Sequence, residues 1–317
     1  MNLKGIHHVS AITANAQKNY DFYTSVMGMR LVKKTVNQDS PSMYHLFYAD
    51  AQGSPGTDFT FFEIPGAGHT YPGNQSISTT SLRVKDDAAL HFWKDRFTEH
   101  HVDHDPIVEL IGKATLSFRD PEGQRLMLIS DEYNQGVEPG IPWSQRTIPA
   151  EFGIIGLGPV FLTVADITST KKVLTEILSF KEISEVDHFK LFETGKGGSG
   201  AQVALIEDSE AKRERPGRGS VHHVAFRVAD ETELEFWKNR IEDSGMPNSG
   251  IVDRYYFKSL YFREPNHILF ELATDGPGFT ADEEFDELGK NLALPPFLEK
   301  DRTHIEAQLK PLQSSKE

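Results

Sequence analysis

At 317 residues the chain exceeds the usual span of one hydrophobic core, so two domains, or one large domain built from repeats, are expected. Its 33 basic and 47 acidic side chains leave a formal charge of −14, which argues against nucleic acid or anionic lipid as partners; Arg213, Arg215 and Arg218 form only a short basic loop. There is no cysteine, which excludes disulfides, thiolate ligands and catalytic thiols and leaves His, Asp and Glu to hold any metal.

The N-terminus lacks a basic region followed by an apolar run, and no apolar stretch approaches the roughly 20 residues of a membrane span, so a cytoplasmic protein without membrane contact is expected. From Leu3 to Thr13 a β-branched run predicts a strand, and Asn15 caps a helix carrying Tyr20, Phe22, Tyr23 and Val26 that ends at Gly28. Strands follow at Leu31 to Asn37, Met43 to Ala49 and Asp58 to Ile64, separated by Ser40-Pro41 and Gly53-Ser54-Pro55-Gly56. This β-α-β-β-β unit recurs three times. The second copy has a strand at Ile77 to Val84, a helix at Asp86 to His100 and strands from Val108 to Ile129. The third starts at Gly156, with a helix near Ser169 to Ser179 and strands from Phe180 to Ile206. The fourth starts at Val221, with a helix from Asp230 to Gly245 and strands from about Ile251 to Ala273.

Copies two and four share residues at a constant offset of 144. Leu82-Arg83-Val84 matches Phe226-Arg227-Val228, Phe92-Trp93-Lys94 matches Phe236-Trp237-Lys238, and Phe118-Arg119-Asp120-Pro121 matches Phe262-Arg263-Glu264-Pro265. A weaker offset of 151 joins copies one and three and sets Pro159 opposite His8.

Side chains alternate along a strand, so Val224, Phe226 and Val228 form a packing face while His223, Ala225 and Arg227 face a cavity. By the same parity Ile268, Phe270 and Leu272 pack and Glu271 faces the other way, and His8 shares its side with Ser10. Two histidines and a carboxylate on a cavity wall have the composition of a facial metal triad. The offset supplies an internal control: it places Thr79 at the position of His223, Met127 at that of Glu271, Ser117 at that of Tyr261 and Leu110 at that of Arg254. Alternation turns His7 and His222 away from the cavity unless the strands bulge there. Phe61-Phe62-Glu63 corresponds in pattern to Leu269-Phe270-Glu271, so Glu63 is a candidate fourth ligand. The cluster His100, His101, Asp103, His104, Asp105 reads as a solvated loop, and Asp282 to Glu287 as the solvated face of a helix in a C-terminal extension.

The pattern resembles the vicinal oxygen chelate superfamily, and within it the ring-cleaving dioxygenases that open hydroquinones. The likeness runs from about Leu3 to the end, through Ile6-His7-His8, Met27-Gly28, Tyr44-His45-Leu46, Gly53-Ser54-Pro55-Gly56-Thr57, His222-His223, Tyr261, Phe270-Glu271 and Gly278-Phe279. It implies an α+β fold of four tandem βαβββ modules forming two cupped half-barrel domains, 1–140 with modules one and two and 150–275 with modules three and four, followed by an extension at 276–317. It implies Fe(II), with Mn(II) the other candidate, on His8, His223 and Glu271, and assigns Tyr261, Arg254, His222 and His7 to the shell around them. Tyr261 would hydrogen-bond to a bound phenolate or donate a proton, and Arg254 would stabilise an anionic intermediate. The implied reaction inserts O2 into a hydroquinone- or catechol-type dihydroxybenzene, so the implied partners are a small aromatic diol and O2, with a homo-oligomer as a further expectation. The rival readings are a glyoxalase I-like isomerase or lyase and a metal-free binder of quinones or drugs. A single triad drawn from His8 and from His223 with Glu271 requires modules one and four to close on each other, leaving two and three as a metal-free buttress.

Overall fold

Each module opens with a strand that ends at a capping side chain. Asn15, Asp86, Asp166 and Asp230 lie in extended backbone and accept an amide hydrogen bond from the first turn of the following helix. The structure, a computed structural model, describes residues 1–144 and 148–313. Module one comprises β1 (Ile6–Thr13), α1 (Ala16–Asp21), β2 (Arg30–Asn37), β3 (Ser40–Ala49) and β4 (Asp58–Glu63). Module two comprises β5 (Ser76–Val84), α2 (Asp87–Glu99), β6 (Val108–Leu110), β7 (Lys113–Arg119) and β8 (Arg125–Ser130). Module three comprises β9 (Ile154–Val164), α3 (Ile167–Lys172), β10 (Lys181–Val186), β11 (Phe189–Glu193) and β12 (Gln202–Glu207). Module four comprises β13 (Val221–Val228), α4 (Glu231–Asp243), β14 (Asn248–Asp253), β15 (Phe257–Arg263) and β16 (Leu269–Pro277). Helices α1 and α3 both pass into a π turn, at Phe22–Val26 and Val173–Ile177, so the 151-residue offset is repeated in backbone geometry.

The strands form two curled eight-stranded sheets in an α+β arrangement. One runs β14-β15-β16-β13-β1-β4-β3-β2 and joins module four to module one; the other runs β10-β11-β12-β9-β5-β8-β7-β6 and joins three to two. Each sheet takes one module from each sequence half, so the sheets cross the expected division into 1–140 and 150–275. The junctions β1–β13 and β5–β9 are antiparallel, while inside each module the first strand pairs parallel with the last.

The helix side of each sheet carries the apolar parity set, including Val224, Phe226 and Phe270, with Trp93 and Trp237 wholly buried beneath. The concave faces differ. In the cup of modules two and three, Met127, Ile129, Phe161 and Leu191 make an apolar filling. The cup of modules one and four is packed at its base by Val32, Phe47, Tyr256 and Phe257, with Phe279 and Leu288 from the C-terminal extension. It opens into a cavity of about 340 Å³ lined by His8, His223, Tyr261, Phe62 and others.

The extension does not carry the acidic helix expected at Asp282 to Glu287. Two single turns, Phe279–Ala281 and Phe285–Glu287, bring the Phe279 ring to 5.1 Å from Phe47 and 5.6 Å from Tyr256. Between them Asp282 and Glu283 both ion-pair with Lys33, whose side chain is fully buried. A buried ammonium demands carboxylate partners, and that demand overrides the preference of the two acids for water. The last four residues of the extension lie outside the described residues. Replacing Lys33 by Ala strands two carboxylates against an apolar base and is expected to cost about 3–5 kcal/mol in urea unfolding, with the segment after Pro277 becoming the first site of limited proteolysis.

Candidate metal centre

Strict alternation would send His7 and His222 to the helix side of the sheet, and the structure departs from it through two bulges. Ile6 pairs with Phe226 and His8 with Ala225, so β1 uses two residues where β13 uses one; further along, Ser10 pairs with His223 and Ala11 with Val221, and the roles reverse. Each bulge brings both histidines of a pair together, with Nδ1 of His7 2.9 Å from Nδ1 of His8 and Nδ1 of His222 2.7 Å from Nδ1 of His223. The β5–β9 junction has matching register shifts around Thr79 and Pro159, which occupy the positions of His223 and His8. The bulge therefore belongs to the scaffold, and only modules one and four place histidines on it.

His8, His223 and Glu271 converge across the β1–β13–β16 surface. Their donor atoms lie within 4.8 Å of one another and all three residues are buried. Glu271 Oε2 is 3.2 Å from His8 Nε2 and 2.9 Å from His223 Nε2, and the two Nε2 atoms are 3.1 Å apart. Ser259 donates to Glu271 Oε1 at 2.5 Å and fixes the carboxylate.

The protonation pattern follows from one carbonyl. His7 Nε2 is 3.1 Å from Thr274 O, which can only accept, so His7 donates there and a neutral ring leaves its Nδ1 bare. That Nδ1 accepts from His8 Nδ1, which leaves His8 Nε2 with a lone pair facing Glu271. Burial, reinforced by His8, lowers the His7 pKa to about 3 and keeps the ring neutral. In module four the Nδ1 atoms of His222 and His223 share one proton across 2.7 Å, and its place on His223 Nδ1 would give the matching assignment. Burial also lowers the His223 pKa. Two imidazole lone pairs and a carboxylate oxygen without a hydrogen-bond donor thus share one small volume, an arrangement that repels itself until a cation enters. The donor set fits a divalent transition metal.

Glu63 is not part of this group. With His8 and His223 at equivalent places in their modules, Val9 opposite Phe59 corresponds to Val224 opposite Phe270, and the counterpart of Glu271 is Thr60. Glu63 lies three residues further on, on the other face, where it accepts from the amide of Ala16 at the start of α1. The Phe-Glu string was a misleading guide to register.

Tyr261 stands beside the triad, its ring edge-on to His223 at 5.8 Å. Burial, with Glu271 adding, raises its pKa well above the ordinary value, so it remains a phenol. Arg254 donates to its hydroxyl at 3.3 Å and to Asp39 at 3.0 Å, while Gln38 donates to the Arg254 carbonyl at 2.8 Å. These contacts join the two ends of the sheet, the β2–β3 turn and the β14–β15 turn, across the cavity mouth. His222 lines that mouth. His104 is tied to Thr98 in an exposed loop, and among the described residues His100, His101 and His104 join no three-residue metal group. The sequence reading missed Ser10, Thr60 and Asp39 as site residues. Parity could have found Thr60, which is polar and faces the cup between Phe59 and Phe61.

The profile described as the Glyoxalase/Bleomycin resistance protein/Dioxygenase superfamily matches residues 5–128 and 156–272. The chain belongs to this superfamily. It is 55% identical, over 99% of its length and 100% of the relative, to the Bacillus subtilis strain 168 protein named "Putative ring-cleaving dioxygenase MhqA". It is 30% identical to a chlorohydroquinone/hydroquinone 1,2-dioxygenase of Sphingobium indicum, covering 94% of this chain and 93% of that one. A crystal structure titled "putative dioxygenase", also from Bacillus subtilis, matches with a TM-score of 0.91 at 34% identity over 98% of each chain. Glyoxalase I from Zea mays shares the fold alone, with a TM-score of 0.60 at 15% identity over 86% of this chain and 92% of that one.

Metal content after dialysis against iron is expected to vanish in His223→Ala and to persist when His100, His101 and His104 are all replaced by Ala. His7→Ala keeps the three donors but releases the His8 ring, and chelator competition should show metal affinity lower by about 10–100-fold.

Proposed function

We propose that the chain is an Fe(II)-dependent ring-cleaving dioxygenase that inserts O2 into a hydroquinone-type dihydroxybenzene, the metal being held by His8, His223 and Glu271. The observation that carries this reading is the missing second carboxylate, because module one sets Thr60 where module four sets Glu271. Two histidines with two glutamates would suit a closed Lewis-acid centre of the glyoxalase I kind, whereas two histidines with one carboxylate keep adjacent positions free for two reactants. Held by these three residues, iron would supply the redox chemistry that lets a dihydroxybenzene react with O2. The same donors would also take Mn(II). The names carried by the relatives support this substrate class.

The chain's own groups hold and orient the ring. Phe47, Phe62, Phe257 and Leu269 give the cavity its apolar walls and limit water. Tyr261 accepts from Arg254 and keeps its own proton to offer to a substrate oxygen beside the triad. Arg254, tied to Asp39, contributes a fixed positive charge where negative charge gathers during cleavage. His222, at the mouth and bonded to His223, is placed to exchange a proton with the substrate, and His7 sets the tautomer of His8. A metal-free binder would have no use for a buried carboxylate oxygen facing two lone pairs.

Iron-loaded protein prepared without oxygen is expected to consume O2 when given hydroquinone. Turnover of a methylglyoxal-thiol adduct without O2 uptake would reject the proposal in favour of an isomerase. Thr60→Glu is expected to keep metal bound while reducing O2 uptake, because the added carboxylate competes for the free positions.

A further inference from the structure

The wall of the cavity contributed by β2, β3 and β4 carries polar groups that the reaction described above leaves unused. On β3, Tyr44, Leu46 and Tyr48 are buried on the helix side, while His45 and Phe47 line the cup. The His45 ring lies between Phe47 and Phe62, with centroids 4.0 and 4.1 Å away. Its Nε2 is 3.0 Å from Thr60 Oγ1, which is 2.6 Å from Ser10 Oγ, and Ser10 pairs with His223. The ring is thus held by two aromatic neighbours and a hydroxyl chain that ends beside the triad, while its Nδ1 has no hydrogen-bond partner among the described residues. Thr35 pairs with His45 across β2–β3, lines the same cavity, is 2% exposed, and its hydroxyl has no partner either.

The Thr35 hydroxyl is a buried, unpartnered group that costs stability unless a ligand satisfies it, and the free Nδ1 of His45 belongs to a ring that lines the same cavity. Burial, with His8 and His223 adding, keeps the His45 ring uncharged, which suits a neutral hydroxyl better than an anion. The row containing Thr35, His45 and Phe62 lies two residues further along the strands than the Thr60–Ser10 row, a step of about 7 Å. A 1,4-diol held at the triad by one oxygen carries the other to the opposite end of the ring; a 1,2-diol keeps both at the metal. We propose that His45 and Thr35 form a second subsite that binds the far hydroxyl of a 1,4-dihydroxybenzene and makes the cup selective for para over ortho diols. This inference rests on the ring-cleavage reading and adds its selectivity.

The test is anaerobic calorimetry of the iron-loaded full chain with hydroquinone, phenol and catechol, alongside oxygen-electrode traces. The wild type is expected to bind hydroquinone about tenfold tighter than phenol, equivalent to about 1.4 kcal/mol. His45→Phe, combined with Thr35→Val, should erase that preference while leaving metal content, melting temperature and the affinities for phenol and catechol within about threefold. His45→Gln retains an acceptor and should recover part of the preference. A preference that survives the double replacement overturns the subsite, as does an equal loss of all three ligands. If the wild type consumes O2 with hydroquinone but binds it no better than phenol, the subsite falls and the activity stands. If the binding preference behaves as expected and no O2 is consumed, the activity falls and the subsite stands.

Discussion

A carboxylate oxygen buried against two imidazole lone pairs is the constraint on which the rest of this structure depends. Glu271 Oε2 has no hydrogen-bond donor, and its neighbours at 2.9 and 3.2 Å are the Nε2 atoms of His223 and His8. Without a cation the three groups oppose one another, so they stay together only because the scaffold fixes each from behind. Ser259 holds the carboxylate, and the Thr274 carbonyl, acting through His7, fixes the tautomer of His8. The site is prepared for a metal by hydrogen bonds that never touch it.

The two sheets show what the fold requires and what the site adds to it. Both central junctions have register shifts at corresponding points, and the concave faces then diverge. In one, Met127 and Phe161 help fill the space, giving modules two and three a continuous apolar interior. In the other, histidines and a glutamate occupy the surface and the space above them stays open. A hollow cup loses packing that a filled one keeps, and the inner pair of modules keeps it.

The open cup is also closed from outside its own modules. Phe279 and Leu288 reach under its base from the C-terminal extension, and Lys33 anchors that extension through Asp282 and Glu283. At the mouth, Arg254 spans from Tyr261 to Asp39 and ties one sheet end to the other. The base is held by buried charge and the mouth by a pair whose acid, Asp39, is largely exposed. Such a distribution favours a rigid floor and a rim able to admit ligand, since exposed pairs contribute little and exchange readily with water.

Much of this was legible in the chain itself. The four modules, the 144-residue register, the loss of His223 and Glu271 counterparts in module two, and the cup-facing parity of Glu271 all come from spacing, because alternation and repetition are local properties of a strand. What the sequence could not fix was anything set by one strand's register against another. The bulges that bring His7 and His222 beside the rings of His8 and His223 arise from unequal residue counts across β1 and β13, which are more than 200 positions apart in the chain. The counterpart of Glu271 is Thr60 and not Glu63 for the same reason. Sequence alone makes the acidic run after Gly278 look solvated because its partner, Lys33, lies about 250 residues earlier. Periodicity reports which way a side chain points from its own strand; only the closure of distant modules decides what it meets.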